Sequence, residues 1–183
     1  LTPQWMEEML MICQQDQVAV TGAKLYYPDD TIQHAGVVLG LGGIAGHIMC
    51  RASREDVGYF GRMISVQEIS AVTAACMLVK KSDFQAEGGF DESFRVAFND
   101  IDLCMKMRAE NKKVVFTPHA ELYHYESKSR GLEDTPEKQF RFDKEVRRFR
   151  EKWGKELEKG DPFYNPNLSV TEGDCSLRAG TDR

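Results

Sequence analysis

The sequence has no apolar run long enough to cross a bilayer. Its longest run, AVTAACMLV, ends at Lys80 and Lys81, well short of the roughly 20 apolar residues that a membrane helix needs. No charged, apolar and small-residue pattern of a signal peptide opens the chain. We therefore expect a cytoplasmic protein, with the inner face of the membrane as an alternative location.

Cysteine patterns that stabilise small domains are also absent. The five cysteines include no CxxC pair, and an odd number does not fit a closed disulfide framework or a zinc knuckle. The sequence predicts free thiols in a reducing compartment.

An excess of basic residues is missing as well. Lysine and arginine total 24 against 29 aspartate and glutamate residues, which gives a net charge of −5. Broad nucleic-acid binding depends on clustered Lys and Arg that neutralise phosphates. We therefore predict no nucleic-acid partner.

The residues that are present are typical of an α/β domain with a mixed sheet. At 183 residues, 42% of them hydrophobic, the chain is one ordinary domain or a large piece of one. Thr2 and Pro3 predict the start of a first helix. The runs VAVTGAKLYYP and TIQHAGVVLG predict two strands that form a hairpin across the turn at Pro28.

The second half of the chain continues this alternation. SAVTAACMLV predicts a third strand, and Ser82 with Gln85 has the spacing of a capping box for a short helix. Asn99 is a predicted N-cap, and KVVFTPHAELYHY is a predicted fourth strand. A long last helix is predicted from Thr135 and Pro136, and its apolar stripe should dock on the sheet. The stripe consists of Phe142, Val146, Phe149 and Trp153.

Asp100 is the first candidate catalytic residue. It lies in the first turn of the predicted helix NDIDLCMKMRAENK, where free N–H groups and the helix dipole favour a carboxylate. Such a carboxylate in a cleft can accept a proton from a hydroxyl as a general base. Plain helix capping is the alternative. Asp102 points to another side of the helix and is a better candidate for capping or packing.

His124 ends the fourth predicted strand. Alternate residues before it, Leu122, Ala120, Phe116 and Val114, would form one apolar face, so the imidazole would emerge at the inner edge of the sheet. A neutral imidazole there can bind a divalent metal, and a hydrogen-bonded core histidine is the alternative. His119 falls on the other face and is expected to be structural or exposed.

The run SKSRG follows this strand. Its hydroxyls and the basic side chains of Lys128 and Arg130, next to Ser129, can surround a diphosphate. A solvated turn explains the same residues.

GLGGIA, residues 40–45, formally matches the dinucleotide fingerprint G-x-G-x-x-G/A. That fingerprint requires a helix next, whereas the following GHIMCRASREDVGYFGR is polar and rich in glycine. We interpret the segment as a substrate-side loop, and a nucleotide-dependent oxidoreductase stays a weaker alternative.

Four motifs together resemble the acceptor-side half of family 2 glycosyltransferases of the GT-A fold. They are the small-residue strand SAVTAACMLV, the GGFDE turn, the NDIDL helix start and the strand ending in His124. The resemblance covers roughly residues 1–131, and the helix and tail at 132–183 resemble a bacterial cell-surface polysaccharide subgroup. Asn99 occupies a position where glutamate is more common in this family, and the aspartate that follows, Asp100, keeps its place in the motif.

The resemblance implies specific roles for these residues. Asp100 would be the catalytic base, and His124 the metal or diphosphate contact. The acceptor pocket would be lined by the segments around His34, Ala74, Gly88, Gly89 and Asp91. The reaction would transfer a sugar from a nucleotide-sugar donor to a saccharide or lipid-linked acceptor, with inversion and with Mg²⁺ or Mn²⁺.

The resemblance also implies that this chain lacks the donor-binding half of such an enzyme. The nucleotide-binding strands and the DxD motif of such enzymes would precede the helix that begins near Thr2, so this chain would be a fragment that is inactive and binds no metal alone. We expect it to self-associate through an exposed sheet edge, and peripheral membrane association is a secondary expectation. A non-catalytic sugar-binding module and a hydrolase built on Asp100 and His124 are the alternatives.

Overall fold

The computed structural model describes residues 2–125 and 135–179. Its helices and strands do not strictly alternate as the sequence predicts, because six strands follow the first helix in succession. The helices and strands are α1 (Trp5–Cys13), β1 (Val18–Tyr26), β2 (Ile32–His34), β3 (Val37–Leu39), β4 (Ala45–His47), β5 (Gln67–Glu68), β6 (Met77–Val79), α2 (Lys81–Ala86), α3 (Asn99–Ala109), β7 (Lys113–Tyr123) and α4 (Pro136–Lys159).

A mixed sheet organises the fold. β1 lies at its centre and pairs in parallel with β7 and antiparallel with β2 and β6, while β5 pairs antiparallel with β7. β3 and β4 form a separate antiparallel pair. The main core lies on one face of the sheet, and a smaller cluster that includes Met9 of α1 and Leu25 of β1 lies on the other. The predicted α/β class with a mixed sheet is confirmed.

The predicted hairpin is confirmed, but its second strand is interrupted. β2 pairs with the end of β1, with Leu25 opposite His34. The run TIQHAGVVLG then divides into β2 and β3 around Gly36, whose φ of +106° is one that side-chain-bearing residues rarely adopt. The chain therefore turns away from the main sheet at Gly36.

The GLGGIA segment does not form the strand–turn–helix unit of a dinucleotide site. It connects β3 to β4 through a single short 3₁₀ turn, Leu41–Gly43. A helix N-terminus facing a pyrophosphate is what the fingerprint requires. The geometry supports the loop interpretation.

The predicted third strand is wrong over most of its length. Only β6, Met77–Val79, is extended and paired with β1, and residues Ala74–Cys76 form a 3₁₀ turn. The hydroxyl oxygen of Thr73 accepts a hydrogen bond from the Ala75 amide at 3.3 Å, which closes this turn locally. Small apolar residues favoured a strand in the sequence, whereas this side-chain bond stabilises a turn.

The prediction of one continuous apolar face along β7 is also wrong. Val114 and Phe116 belong to the main core, whereas Ala120 packs in the cluster against α1 and Leu122 packs against that cluster. The β1–β7 ladder shifts register between the pairs Ala23–Thr117 and Lys24–Glu121. The irregularity falls at Pro118, which has no N–H to donate to a ladder. His119 is exposed there, as predicted.

Helix starts differ from the predictions by one or two residues. α1 begins at Trp5 after Gln4 rather than at Pro3, and Ser82 lies inside α2, whose N-cap is Lys80. Asn99 is the first residue of α3, and Phe98 precedes it as the N-cap. Side-chain spacing alone does not fix where a helix begins, because neighbouring backbone contacts compete with it.

α4 docks on the domain through the predicted stripe, except that Phe142 at its start remains 44% exposed. Phe149 is fully buried in the main core, and Val146 and Trp153 pack against that core. The Thr135 hydroxyl accepts a hydrogen bond from the Lys138 amide at 3.4 Å, so Thr135 is the predicted N-cap. The following tail is tied to the loops between β3 and β5, because Gly42 and Met49 donate backbone hydrogen bonds to Val170 and Gly173.

Two expectations about composition can be compared with the structure. All five cysteines are free thiols, as predicted, and Cys13 and Cys104 are buried. Within the described ranges, no helix combines the length and the apolar character needed to cross a bilayer.

Candidate functional site

The candidate site centres on Asp100 at the start of α3. Its Oδ2 accepts a hydrogen bond from the Ala74 amide at 3.0 Å, and its Oδ1 accepts one from the Ile101 amide at 2.9 Å. The side chain is half-buried. α3 and the turn at 74–76 therefore meet at this carboxylate, and two of the predicted site residues, Asp100 and Ala74, are in direct contact.

His34 lies beneath the same turn. Its Nε2 is 3.4 Å from the Thr73 amide, which donates to it, and its Nδ1 is 3.1 Å from Nδ1 of His47. The ring is completely buried. Burial, together with the nearby His47, holds the pKa of His34 well below its usual value, so the ring is neutral. His34 thus holds the loop whose next residue, Ala74, contacts Asp100. Because its ring is buried, His34 cannot contact an acceptor directly.

Asp102 anchors α3 to the last helix. It is fully buried, and its Oδ1 accepts a hydrogen bond from Trp153 Nε1 at 2.7 Å and lies 2.7 Å from Lys152 Nζ. Removing one partner from such a buried pair leaves the other charge without compensation. Asp102 has the packing role that the sequence predicts for it.

The predicted acceptor residues Gly88, Gly89 and Asp91 lie next to this anchor. Gly88 and Gly89 both have a φ of +71°, which favours glycine, and the Gly89 carbonyl accepts from Lys106 Nζ of α3 at 2.6 Å. Asp91 Oδ2 lies 3.1 Å from Lys152 Nζ. Lys152 therefore links the GGFDE turn to Asp102 of α3.

The carboxylate of Asp91 is strongly stabilised in the folded protein. The side-chain and backbone hydrogen bonds from Ser93 are the main cause, and Lys152 adds to them; together they lower the pKa of Asp91 from its ordinary 3.8 to about 2. A group with a lowered folded pKa stabilises the fold above its unfolded pKa, and this contribution is lost as the pH falls through the folded pKa.

We expect Asp91→Asn to flatten the acid dependence of stability. Between about pH 4 and about pH 2 the parent should lose the Asp91 contribution, while the variant has none to lose. Urea unfolding across this range measures the difference. Asp16→Asn is a matched control, because it makes the same substitution at an exposed position away from Ser93 and Lys152. Parallel curves for the parent and Asp91→Asn would contradict the expectation.

Glu145 is a site-supporting residue that sequence reasoning missed. It is buried, and its carboxylate accepts from the amides of Arg95, Val96 and Ala97 at 2.9, 3.3 and 2.8 Å. These residues lie directly before α3. The signal was present in the sequence, since Glu145 is three residues after Phe142 and four before Phe149, on the apolar stripe of α4.

His124 is partly exposed at the end of β7. Its Nδ1 is 2.9 Å from Gln33 Oε1, and its amide donates to the Tyr26 carbonyl at 3.0 Å. A ring nitrogen held by a polar neighbour leaves Nε2 for another ligand, as in many metal-binding histidines. Across residues 2–125 and 135–179, however, no three His, Cys, Asp or Glu side chains converge. These residues supply one candidate ligand, which does not make a site for a hard cation.

The predicted diphosphate contacts Lys128, Ser129 and Arg130 lie outside the described residues. Chemically, the described part of the site offers a half-exposed carboxylate that accepts from the Ala74 amide, while the neighbouring Thr73 amide donates to the neutral, buried His34. In this arrangement the Asp100 carboxylate is suited to accept a proton from a substrate hydroxyl.

Comparison with known proteins finds relatives that match nearly all of this chain. An uncharacterised protein, y4gI of Sinorhizobium fredii, is 53% identical over 178 residues, which are 97% of this chain and 20% of that protein. The O-antigen biosynthesis protein RfbC of Myxococcus xanthus is 37% identical over 177 residues, 96% of this chain and 14% of that protein. No family model matches the chain.

A third relative matches a shorter stretch. The N-acetylglucosaminyl-diphospho-decaprenol L-rhamnosyltransferase of Mycobacterium tuberculosis is 31% identical over 67 residues, 37% of this chain and 22% of that enzyme. The chain therefore spans about a fifth or less of the first two relatives' length. In sequence it is similar to a segment of one protein named for O-antigen biosynthesis and, over a shorter stretch, to part of a rhamnosyltransferase.

Proposed function

We propose that this chain is the acceptor-side part of an inverting, family 2-like glycosyltransferase that contributes to bacterial cell-surface polysaccharide synthesis. The observation that supports this most is the contact between Asp100 Oδ2 and the Ala74 amide at 3.0 Å, which fixes a half-exposed carboxylate beside the proposed acceptor loop. The intact enzyme, in this proposal, carries this chain together with a donor-binding half.

In the proposed reaction Asp100 acts as the general base. It accepts the proton of an acceptor hydroxyl, while the hydroxyl oxygen bonds to the anomeric carbon and the bond to the nucleoside diphosphate breaks. An ionised carboxylate has about four lone-pair directions, and the described backbone donors to Asp100 occupy two of them. The remaining directions are available to the acceptor, and single displacement inverts the anomeric carbon.

The surrounding residues position the acceptor. Ala74 presents its amide to Asp100 and has too small a side chain to block the carboxylate. His34 supports Thr73 from below, and the Gly88–Asp91 turn is tied to α3 through Lys106 and Lys152. Rigid positioning of the acceptor hydroxyl is a large part of the rate enhancement in bimolecular transfer.

The donor half and the metal are further proposals for the intact enzyme. A divalent cation, Mg²⁺ or Mn²⁺, would neutralise the leaving diphosphate when bound. His124 would contribute one ligand, and Lys128, Ser129 and Arg130 would contact the diphosphate. The residues that would complete the metal site are not among those described, so the chemistry assigned to this chain rests on Asp100.

Two kinds of association with other molecules are also proposed. The outer face of α1 exposes more than half of each of Met6, Leu10 and Met11, which supports self-association of the isolated chain. Peripheral association at the inner face of the membrane is a second proposal, based on the basic residues of α4.

A transfer assay on the intact enzyme tests the function. We expect that a panel of UDP-, GDP- and dTDP-sugars will include a donor whose nucleoside diphosphate is released only when a saccharide or lipid-linked acceptor is present. Release is measured by coupled detection of the diphosphate, and transfer by mass spectrometry of the acceptor. Saccharide binding without any transfer would instead identify a non-catalytic sugar-binding module.

A further inference from the structure

We propose that a groove between α4 and the loop before α3 binds a phosphate-bearing anion. This basic groove has a volume of about 490 Å³, and it is separate from the carboxylate of Asp100. Its lining consists of Glu92, Ser93, Arg95, Phe140, Arg141, Lys144, Glu145 and Arg148. The proposal does not depend on the transfer activity proposed above.

Charge is the first argument for an anionic ligand. Four cationic side chains line the groove, although the whole chain carries a net charge of −5. Within the described residues, the side chains of Arg95, Lys144 and Arg148 form no hydrogen bond or ion pair. Cations that converge without a carboxylate partner leave a positive field that an anion would neutralise.

The acidic side chains of the groove do not cancel this field. Glu145 directs its carboxylate at the amides of Arg95, Val96 and Ala97, and these amides satisfy it. Glu92 is the other acid, and it is exposed. Because Glu145 is engaged by the backbone, the cations Arg95 and Arg148 are left available to a ligand.

The type of cation favours phosphate. Arg95 and Arg148 present planar guanidinium groups, which match phosphate oxygens in a bidentate manner. Lys144, four residues before Arg148 on α4, adds a point charge. A phosphate offers three oxygens and more charge than a carboxylate. The three cations of the groove that have no partner among the described residues therefore fit a phosphate or diphosphate better than an acidic side chain.

Phe140 indicates that the ligand extends beyond its phosphate. This side chain is 67% exposed and lines the basic groove as well as the adjoining shallow surface formed with Lys144, Arg147, Arg148 and Glu151. An exposed aromatic ring beside cations suits the apolar part of a phosphate ester. We assign to Phe140 the contact with that part.

Calorimetric titration of this chain with inorganic pyrophosphate and with geranyl diphosphate tests the proposal, with EDTA present to remove metal ions. We expect both to bind, geranyl diphosphate the more tightly. The triple variant Arg95→Gln/Lys144→Gln/Arg148→Gln should weaken both at least about tenfold, because each lost cation removes a charge-assisted hydrogen bond. Phe140→Ala should weaken geranyl diphosphate alone.

The matched control is Lys81→Gln/Lys155→Gln/Lys159→Gln, which removes the same charge from exposed positions outside the groove. It should bind both probes as the parent does, and thermal melting checks that all variants fold. An equal loss of affinity in the control variant, or no binding of pyrophosphate by the parent, would overturn the proposal.

Vesicles distinguish a phosphate ligand from a membrane surface. Phosphatidylcholine vesicles with and without phosphatidylglycerol are compared for co-sedimentation of the parent. Binding to the anionic vesicles without binding of pyrophosphate would make the groove a membrane-docking face and would overturn the proposal. An unchanged affinity of Phe140→Ala for geranyl diphosphate would overturn the role assigned to Phe140.

Discussion

Replacing Asp100 with asparagine in the intact enzyme is expected to lower kcat by about two orders of magnitude or more, the usual effect of losing a general base. The amide keeps the shape of the carboxylate, and its oxygen can still accept from the Ala74 amide, but it cannot take a proton from the acceptor. The dissociation constant of the donor should change by less than about twofold, because Asp100 acts on the acceptor side.

The structure also gives the control for this experiment. The variant loses one backbone hydrogen bond, because the new NH₂ group cannot accept from the Ile101 amide, so a stability loss of about 1 kcal/mol is expected. Thermal melting of parent and variant measures it. Turnover within about threefold of the parent, in a folded variant, would show that Asp100 only stabilises the start of α3.

Replacing Glu145 with alanine is expected to lower the free energy of unfolding by about 2–4 kcal/mol. The carboxylate accepts from three consecutive amides of the loop 95–97, and a hydrogen bond to a charged group contributes about 1.5–3 kcal/mol, with incomplete additivity. Alanine also leaves those amides without their acceptor. The loop leads directly into α3, so the change reaches the helix that carries Asp100.

Urea unfolding of this chain measures the loss. Glu145→Gln should fall between parent and alanine, because its neutral amide oxygen can accept some of the same bonds. Glu151→Ala is the matched control on the exposed face of α4, where substitutions usually change stability by less than about 0.5 kcal/mol. A Glu145→Ala variant as stable as that control would refute the anchoring role.

Local signals predicted much of the fold. The turn at Pro28 and the Thr135–Pro136 start of α4 act through residues close in sequence, and both are confirmed. The third strand was mispredicted because the Thr73 side chain closes a turn that apolar composition does not reveal. The apolar face of β7 was mispredicted because Pro118 interrupts the ladder with β1. The register between two strands that are far apart in sequence cannot be predicted from either strand alone.

The candidate site was predicted in part, and only with the help of a family resemblance. The resemblance named Asp100 and Ala74, and the structure brings them into contact. The residues that hold them in place were not predicted, because Lys152 and Glu145 lie about 50 residues away from the groups they bind. Their partners are backbone amides and a buried aspartate, and such contacts leave almost no pattern along the chain.

The anomeric configuration of the first product tests the central claim most directly. With a donor of known configuration, proton NMR of the transferred sugar is recorded on the product formed by the intact enzyme. A base at Asp100 that activates the acceptor hydroxyl for single displacement predicts the configuration opposite to that of the donor. Retention would require a mechanism other than single displacement, and it would contradict the role assigned to Asp100.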